Sequence, residues 1–183
     1  MFKISEWAHQ WKMSFNPDPT KQAVEVYFSQ KSNPENPPDL FFNNIKIASQ
    51  DHQKHLGLIL DQKLVFDRHL DEQINKANRG IGQIHRLREF LPRNSLVTIY
   101  KSHVRPHLDY GDVVYDRPGF SNFTKKLESI QYDACLAITG CFRGTSREKL
   151  YLELSLESLE DRRLMRRLIM FYKTRRLKVE NFA

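Results

Sequence analysis

The sequence has only two cysteines among 183 residues, and this scarcity excludes a disulfide-rich secreted domain. Cys135 and Cys141 are six positions apart and no histidine lies near them, so the pair does not form a zinc knuckle. We therefore expect two free thiols in a reducing compartment.

Long apolar runs are also missing. No stretch of about 18 apolar residues occurs, and the first residues, "MFKISEWAHQW", lack the continuous apolar core of a signal peptide. We expect a soluble, intracellular protein with no membrane partner, its nuclear or cytoplasmic placement left open. The sequence gives no sign of an obligate protein partner.

The glycine-dependent motifs of many active sites are absent too. The sequence contains no G-x-S-x-G, no Walker-type loop and no G-x-G-x-x-G, so it encodes no self-contained active site of these kinds. Two groups invite a metal interpretation, but their spacing favours turn, capping or solvated roles: His52 with His55, and the acidic group His107, Asp109, Asp112 and Asp116. A metal-dependent hydrolase built on the acidic group is the weakest of three functional hypotheses.

What the sequence does have is positive charge, and its distribution is uneven. The formal net charge is +7. Residues 1–66 contain seven basic and seven acidic side chains, so the whole excess lies from Asp67 onward. A polyanion is therefore a better expected partner than an acidic protein.

The N-terminal third predicts a helix and a small antiparallel sheet, because its apolar spacing changes from helical to alternating after a proline-rich break. The Asn43-Asn44 pair favours a tight hairpin turn. Gly57, inside an apolar run, indicates a bulge or a close backbone approach. The predicted elements are a helix to about Ser14 and strands over 22–28, 40–48 (two short strands) and 54–60.

The rest of the chain predicts helices, which gives an α+β fold that is mostly helical after a small sheet. Gly80 and Gly82 interrupt the first helix and indicate a kink or a close approach by another backbone. The last helix is expected to bury an apolar face and to expose a basic one. The predicted helices cover 68–91, 92–105, 122–139 and a segment from about Arg162, with 106–119 irregular.

Several blocks in a fixed order resemble the reverse transcriptase of non-LTR (LINE-type, jockey-like) retrotransposons. These blocks span roughly Trp7 to Lys173 and include "WAHQWKMSFNPDPTK", "HQKHLGLILDQKLVFDRHL", "KANRGIGQIHRLREFLP", "LVTIYKSHVRPHLDYGDVVYD" and "KLESIQYDACLAITGCFRGTSREKLYLELSLESLEDRR". The resemblance implies the end of the palm with primer-grip strands (1–66), thumb-like helices (67–118) and a helical C-terminal extension (119–183).

The resemblance also implies an incomplete active site. The family holds Mg²⁺ with aspartates that include an Asp-Asp pair, and no such pair occurs here. The family's lysine in "NPDKTK" is replaced by Pro19, so Lys21 is only a weak candidate for the general acid. No catalytic residue, metal site or cofactor is assigned to this chain, which we expect to be a truncated or decayed copy that is inactive alone.

By resemblance, Leu56, Gly57 and Leu58 belong to the primer grip, and the helix from Arg68 to Leu91 tracks the template–primer duplex of RNA and DNA. The basic side chains expected to bind its backbone are Lys76, Arg79, Arg86, Arg162 and Arg166. The leading hypothesis is thus a fragment of an RNA-directed DNA polymerase that retains nucleic-acid binding. The alternative is a stand-alone or domesticated module that binds RNA or an RNA–DNA hybrid.

Overall fold

The computed structural model of the protein describes residues 2–13, 24–31, 38–42, 45–116 and 121–180. The chain divides into two compact units, Met1–His69 and Leu70–Ala183. Each unit is described by itself below. The predicted domain boundaries near residues 66 and 118 stay predictions.

The fold is mixed α+β and mostly helical, as predicted. The helices are α1 Phe2–Gln10, α2 Asp67–Leu87, α3 Arg93–Ile99, α4 Arg105–Asp109, α5 Asp112–Tyr115, α6 Ser121–Thr139, α7 Arg147–Glu153 and α8 Leu159–Glu180, with a π-helical stretch Tyr100–Val104 between α3 and α4. The strands are β1 Val24–Glu25, β2 Phe41–Phe42, β3 Ile45–Lys46, β4 Ala48–Ser49, β5 His52–His55 and β6 Leu58–Asp61.

The described strands of the first unit form three pairs and not one antiparallel sheet. β2 and β3 form the predicted hairpin, with Phe42 opposite Ile45; its turn residues lie outside the described residues. β1 is shorter than the predicted strand 22–28, and it pairs in parallel with β4. The expectation that the whole sheet is antiparallel is therefore wrong for this pair.

The predicted single strand over 54–60 is in fact the turn of a hairpin. His55 lies opposite Leu58, so Leu56 and Gly57 form a two-residue loop between β5 and β6. Both residues have positive φ, 46° and 83°, as a primed hairpin turn requires. Gly57 is thus explained by turn geometry, because glycine adopts the positive φ of this turn without strain.

Asp61 ends β6 and holds the loop that follows. Its carboxylate accepts hydrogen bonds from the backbone N–H groups of Lys63, Val65 and Phe66 at 3.1, 3.0 and 2.7 Å. In this loop Leu64 and Phe66 have positive φ, which is unfavourable for residues with a side chain. Burial raises the pKa of the Asp61 carboxyl, but the three donors outweigh it and leave the pKa below its ordinary value.

In the second unit, helix boundaries differ from those predicted where proline and glycine were given too much weight. α2 ends at Leu87 and not at Leu91. The segment predicted to be irregular, 106–119, contains most of α4 and all of α5 among its described residues. Pro106 lies in the first turn of α4, where its missing N–H is tolerated. α6 ends before Gly140 as predicted, and Gly140 has a φ of 74°.

Gly80 allows α2 to pack closely against its neighbour. A Cβ atom built at this position lies 2.7 Å from Val104 Cγ2 and 3.7 Å from the His103 carbonyl oxygen. A side chain there would force Val104 to move in a close-packed interior. The predicted close approach at Gly80 is found, but the closest group is the Val104 side chain and not another backbone.

The core of the second unit is apolar but contains a hydrogen-bonded polar network. Tyr100 donates from its hydroxyl to Gln131 Oε1 at 2.6 Å, and Gln131 Nε2 donates to the Glu157 carbonyl at 2.8 Å. The fully buried apolar side chains include Ala77, Ile84, Leu96, Val104, Leu108, Leu127, Ala134, Leu150 and Leu159. The network thus fixes α6 against the π-helical stretch and the segment before α8.

The described residues agree with the prediction of free thiols. Cys135 and Cys141 are free thiols, and burial raises the pKa of Cys135 to about 12. Among the described helices, none is long and apolar enough to cross a membrane.

We predict that Asp61→Ala lowers the free energy of unfolding by about 1 kcal/mol, because three backbone donors lose their acceptor. Since the pKa of Asp61 is depressed in the folded chain, its contribution is present above the unfolded pKa of about 3.9 and is lost as pH falls through the lower folded value. Urea denaturation between pH 7 and pH 3 checks both parts.

The matched control is Asp51→Ala, which removes an exposed carboxylate paired with Arg68 at 3.1 Å. Its effect on stability at pH 7 should be small. Equal losses for the two variants, or a loss for Asp61→Ala that is unchanged at pH 3, would contradict the role given to Asp61.

Candidate nucleic-acid interface

The exposed face of α2 carries the first group of predicted site residues. At about 100° per residue, Asn75, Arg79, Gly82 and Arg86 lie within about 60° of one another around the helix axis. The side chains of Asn75, Arg79 and Arg86 are exposed. We call these four residues the α2 face.

The opposite side of α2 explains why this face points outward. Ala77, Ile81 and Ile84 are buried, and together with Gly80 they form the side that packs into the second unit. Burial of this stripe fixes the rotation of the helix, so the α2 face has no freedom to turn inward.

Charge on the α2 face is left without a counter-charge. Between Gln73 and Arg88 the sequence contains four Lys or Arg residues and no Asp or Glu. Lys76 forms an ion pair with Glu72 at 2.6 Å, whereas no carboxylate of the described residues forms an ion pair with Arg79 or Arg86. The two arginines are therefore available to an external anion.

Arg86 is held in place by the helix itself. Its Nε–H donates to the Gly82 carbonyl at 3.3 Å, one turn earlier in the chain. The two terminal guanidinium nitrogens of Arg86 stay available as donors, which is the part of the group that binds phosphate oxygens in pairs.

The second predicted basic group, at the start of α8, has a different environment. Asp109 Oδ2 lies 2.9 Å from Arg162 Nη2 and 3.4 Å from Arg166 Nη1, and Asp112 Oδ2 lies 3.4 Å from Arg166 Nε. Arg167 forms an ion pair with Asp116. We call these three carboxylates and their arginines the Asp–Arg cluster, which joins α4 and α5 to α8.

Arg163 lies at the centre of the Asp–Arg cluster and is 1% exposed. Its Nη2–H donates to the Leu108 carbonyl at 3.2 Å, and its Nη1 is 3.9 Å from Asp116 Oδ1. Burial lowers the pKa of this guanidinium, and the neighbouring Tyr115 and carboxylates oppose that effect. Burial also shifts the pKa of Asp112, in this case upward, and the positive charge of Arg166 opposes that shift.

This arrangement reverses the predicted faces of α8. The arginines at its start point into the protein, while the apolar side is exposed and includes Leu164, Met165, Leu168, Ile169, Phe171 and Tyr172. The prediction that the apolar face is core is wrong, because it left out the acidic residues of α4 and α5, which form ion pairs with the arginines at the start of α8. The proposed contact of Arg162 and Arg166 with nucleic acid stays a prediction, although both already have acidic partners.

The same contacts bear on the metal hypothesis. Asp109, Asp112 and Asp116 face guanidinium groups, and the described residues contain no cluster of three or more His, Cys, Asp or Glu with the geometry to hold a metal ion. His52 lies in β5 with its Nδ1 2.6 Å from Asp51 Oδ1. Sequence reasoning missed the arginine partners, since they lie about 50 positions away in the chain.

The predicted primer-grip residues lie together at one hairpin tip. Leu56 and Gly57 form the β5–β6 turn, Leu58 begins β6, and Leu56 is 79% exposed. An exposed leucine at positive φ is a poor arrangement for stability alone. Lys21, the weak candidate for a general acid, lies outside the described residues.

Glu128 is an important residue that sequence reasoning missed. Its carboxylate accepts hydrogen bonds from the Tyr151 hydroxyl and the Leu159 backbone N–H, both at 2.6 Å, and from the Glu160 N–H at 3.2 Å. The N-terminus of α8 is thereby fixed to α6. A glutamate in a long helix gives no local signal of such a role.

Comparisons with known proteins find relatives of one kind. The chain is 25% identical over 163 residues to the probable RNA-directed DNA polymerase from transposon X-element of Drosophila melanogaster. It is 32% identical over 127 residues to the RNA-directed DNA polymerase from mobile element jockey, and 27% identical over 206 residues to the probable RNA-directed DNA polymerase from transposon BS, both from the same species.

These alignments cover 87%, 67% and 98% of the chain but only 17%, 13% and 22% of the respective relatives. The chain therefore spans less than a quarter of the length of the relatives it matches. No protein-family model matches the chain, and no solved structure matches it significantly.

We predict that Asp109→Asn lowers the free energy of unfolding by about 2 kcal/mol, because it removes the charge of a buried carboxylate that the half-buried Arg162 and Arg166 share. The control is Asp133→Asn, which removes the partner of the exposed Arg143 at 3.1 Å and should cost at most about 0.5 kcal/mol. Urea denaturation of the full chain, followed by circular dichroism, compares the two. A cost for Asp109→Asn no larger than that for Asp133→Asn would contradict the structural role of the Asp–Arg cluster.

Proposed function

Because this chain is related to part of the RNA-directed DNA polymerases of non-LTR retrotransposons, we propose that it is a segment of such a polymerase that binds the template–primer. The observation that carries the proposal is the α2 face, where Arg79 and Arg86 are exposed and lack a described counter-charge. Its partners are RNA and the RNA–DNA duplex, bound through phosphates and without sequence preference.

The spacing on α2 fits this role. Arg79 and Arg86 are seven residues apart, which is about 10 Å along the helix axis. Two guanidinium groups at this distance can contact different phosphates of one duplex, and each neutralised phosphate releases counterions. Lys76 contributes less, because Glu72 already compensates its charge at 2.6 Å.

In this proposal the β5–β6 tip is the second contact. At this tight turn Leu56 has an exposed apolar side chain, and Gly57, between Leu56 and Leu58, has no side chain to cover its backbone. This combination suits contact with the sugar and base of a primer end. Arg162 and Arg166 have the smaller role, since binding of phosphate would have to compete with Asp109.

Polymerisation needs carboxylates that bind two metal ions. Two-metal phosphoryl transfer requires carboxylates that hold both Mg²⁺ ions about 4 Å apart, and the sequence contains no Asp-Asp pair. We therefore assign to this segment the binding and positioning of nucleic acid, with the metal-holding carboxylates outside it.

Binding should fall steeply with salt. We predict that affinity for an RNA–DNA hybrid, measured by fluorescence anisotropy, decreases on the order of a hundredfold between 50 and 200 mM salt. Arg79→Gln and Arg86→Gln should each weaken binding and lower the slope of log K against log salt by about 1. Glutamine retains helix propensity, so these changes test charge.

The matched control is Arg143→Gln, since Arg143 is exposed but is paired with Asp133 at 3.1 Å. It should leave both the affinity and the slope unchanged within about twofold. Affinity that is independent of salt, or equal slopes for Arg79→Gln, Arg86→Gln and the unmodified chain, would rule out the α2 face as the binding surface.

A further inference from the structure

Gly82 has no explanation in the packing of the described residues. A Cβ atom built at Gly80 collides with Val104, whereas one built at Gly82 meets no atom of the described residues within 4 Å. Glycine in a helix interior is less favourable than alanine. The fold therefore accounts for glycine at position 80 and leaves the glycine at position 82 unaccounted for.

The location of Gly82 indicates what its missing side chain accommodates. It lies on the α2 face, between Arg79 one turn before it and Arg86 one turn after it. Arg86 reaches back to the Gly82 carbonyl at 3.3 Å. The missing side chain leaves a gap in the helix surface, and a cationic side chain lies on either side of that gap.

We propose that Gly82 is the point at which a sugar–phosphate backbone lies in direct contact with α2, between the guanidinium groups of Arg79 and Arg86. This inference rests on the proposed function and adds a steric requirement to the electrostatic one. The ligand class is the backbone of a nucleic-acid duplex, which the two arginines contact on both sides of the bare helix segment.

The physical reason is distance. A methyl group at position 82 moves the backbone of the ligand outward by about the length of a C–C bond, close to 1.5 Å. Charge-assisted hydrogen bonds from guanidinium to phosphate are short, about 2.8 Å, and weaken steeply when lengthened by that amount. The built Cβ leaves Arg86 undisturbed, since that side chain has no atom within 4 Å of it.

The test measures binding of an RNA–DNA hybrid oligonucleotide and thermal stability on the same full-length variants. Gly82→Ala should raise Tm, by about 2 °C, because alanine favours the helix. It should nevertheless weaken binding about three- to tenfold, and Gly82→Leu should weaken it further. Opposite changes in stability and affinity distinguish loss of a contact surface from loss of fold.

Two controls use the same helix. Gln83→Ala changes an exposed neighbour outside the α2 face and should leave affinity within about twofold. Gly80→Ala should lower Tm because of the contact with Val104. Together they separate an effect at Gly82 from a general effect of substitution in α2.

The outcomes separate this inference from the proposed function. If the unmodified chain binds the hybrid and Arg79→Gln weakens that binding, but both Gly82 variants bind as the unmodified chain does, the inference is wrong and the proposed function stands. If the unmodified chain does not bind the hybrid, both are wrong. Weaker binding with raised Tm for Gly82→Ala supports the inference.

Discussion

The second unit depends on one buried carboxylate, that of Glu128, which receives the first backbone N–H groups of α8. A helix N-terminus has unpaired donors and a partial positive charge, and a carboxylate satisfies both. From this start α8 runs past α4 and α5. Arg162 and Arg166, one turn apart on α8, both lie next to Asp109.

The position of α8 decides how positive charge is divided on the surface. Arginines at its start compensate acidic residues inside the unit, whereas Arg79 and Arg86 on α2 compensate nothing among the described residues. A net charge of +7 therefore says little by itself about where a polyanion binds. What distinguishes the two basic groups is the presence of acidic partners, and that requires the fold.

Some features were predictable because their causes are local. Gly140 as a helix end, the β2–β3 hairpin, the close approach at Gly80 and the long α2 all follow from residue spacing and turn chemistry. The β5–β6 turn was missed because Leu56 at positive φ is uncommon and the apolar run resembles a single strand. The inverted faces of α8 were missed because the pattern of apolar and basic residues predicts that arginine faces solvent. The aspartates that pair with these arginines lie far away in the chain.

The hairpin tip at Leu56 and Gly57 also has a consequence for the order of folding. Its cross-strand contacts join residues at most nine positions apart, from His52 with Asp61 to His55 with Leu58, whereas the pair of Arg162 with Asp109 spans 53 positions. Local hairpins form in about 1–10 μs, and contacts between distant positions come later because a longer loop must close. We therefore expect the β5–β6 hairpin to form before α8 meets its acidic partners.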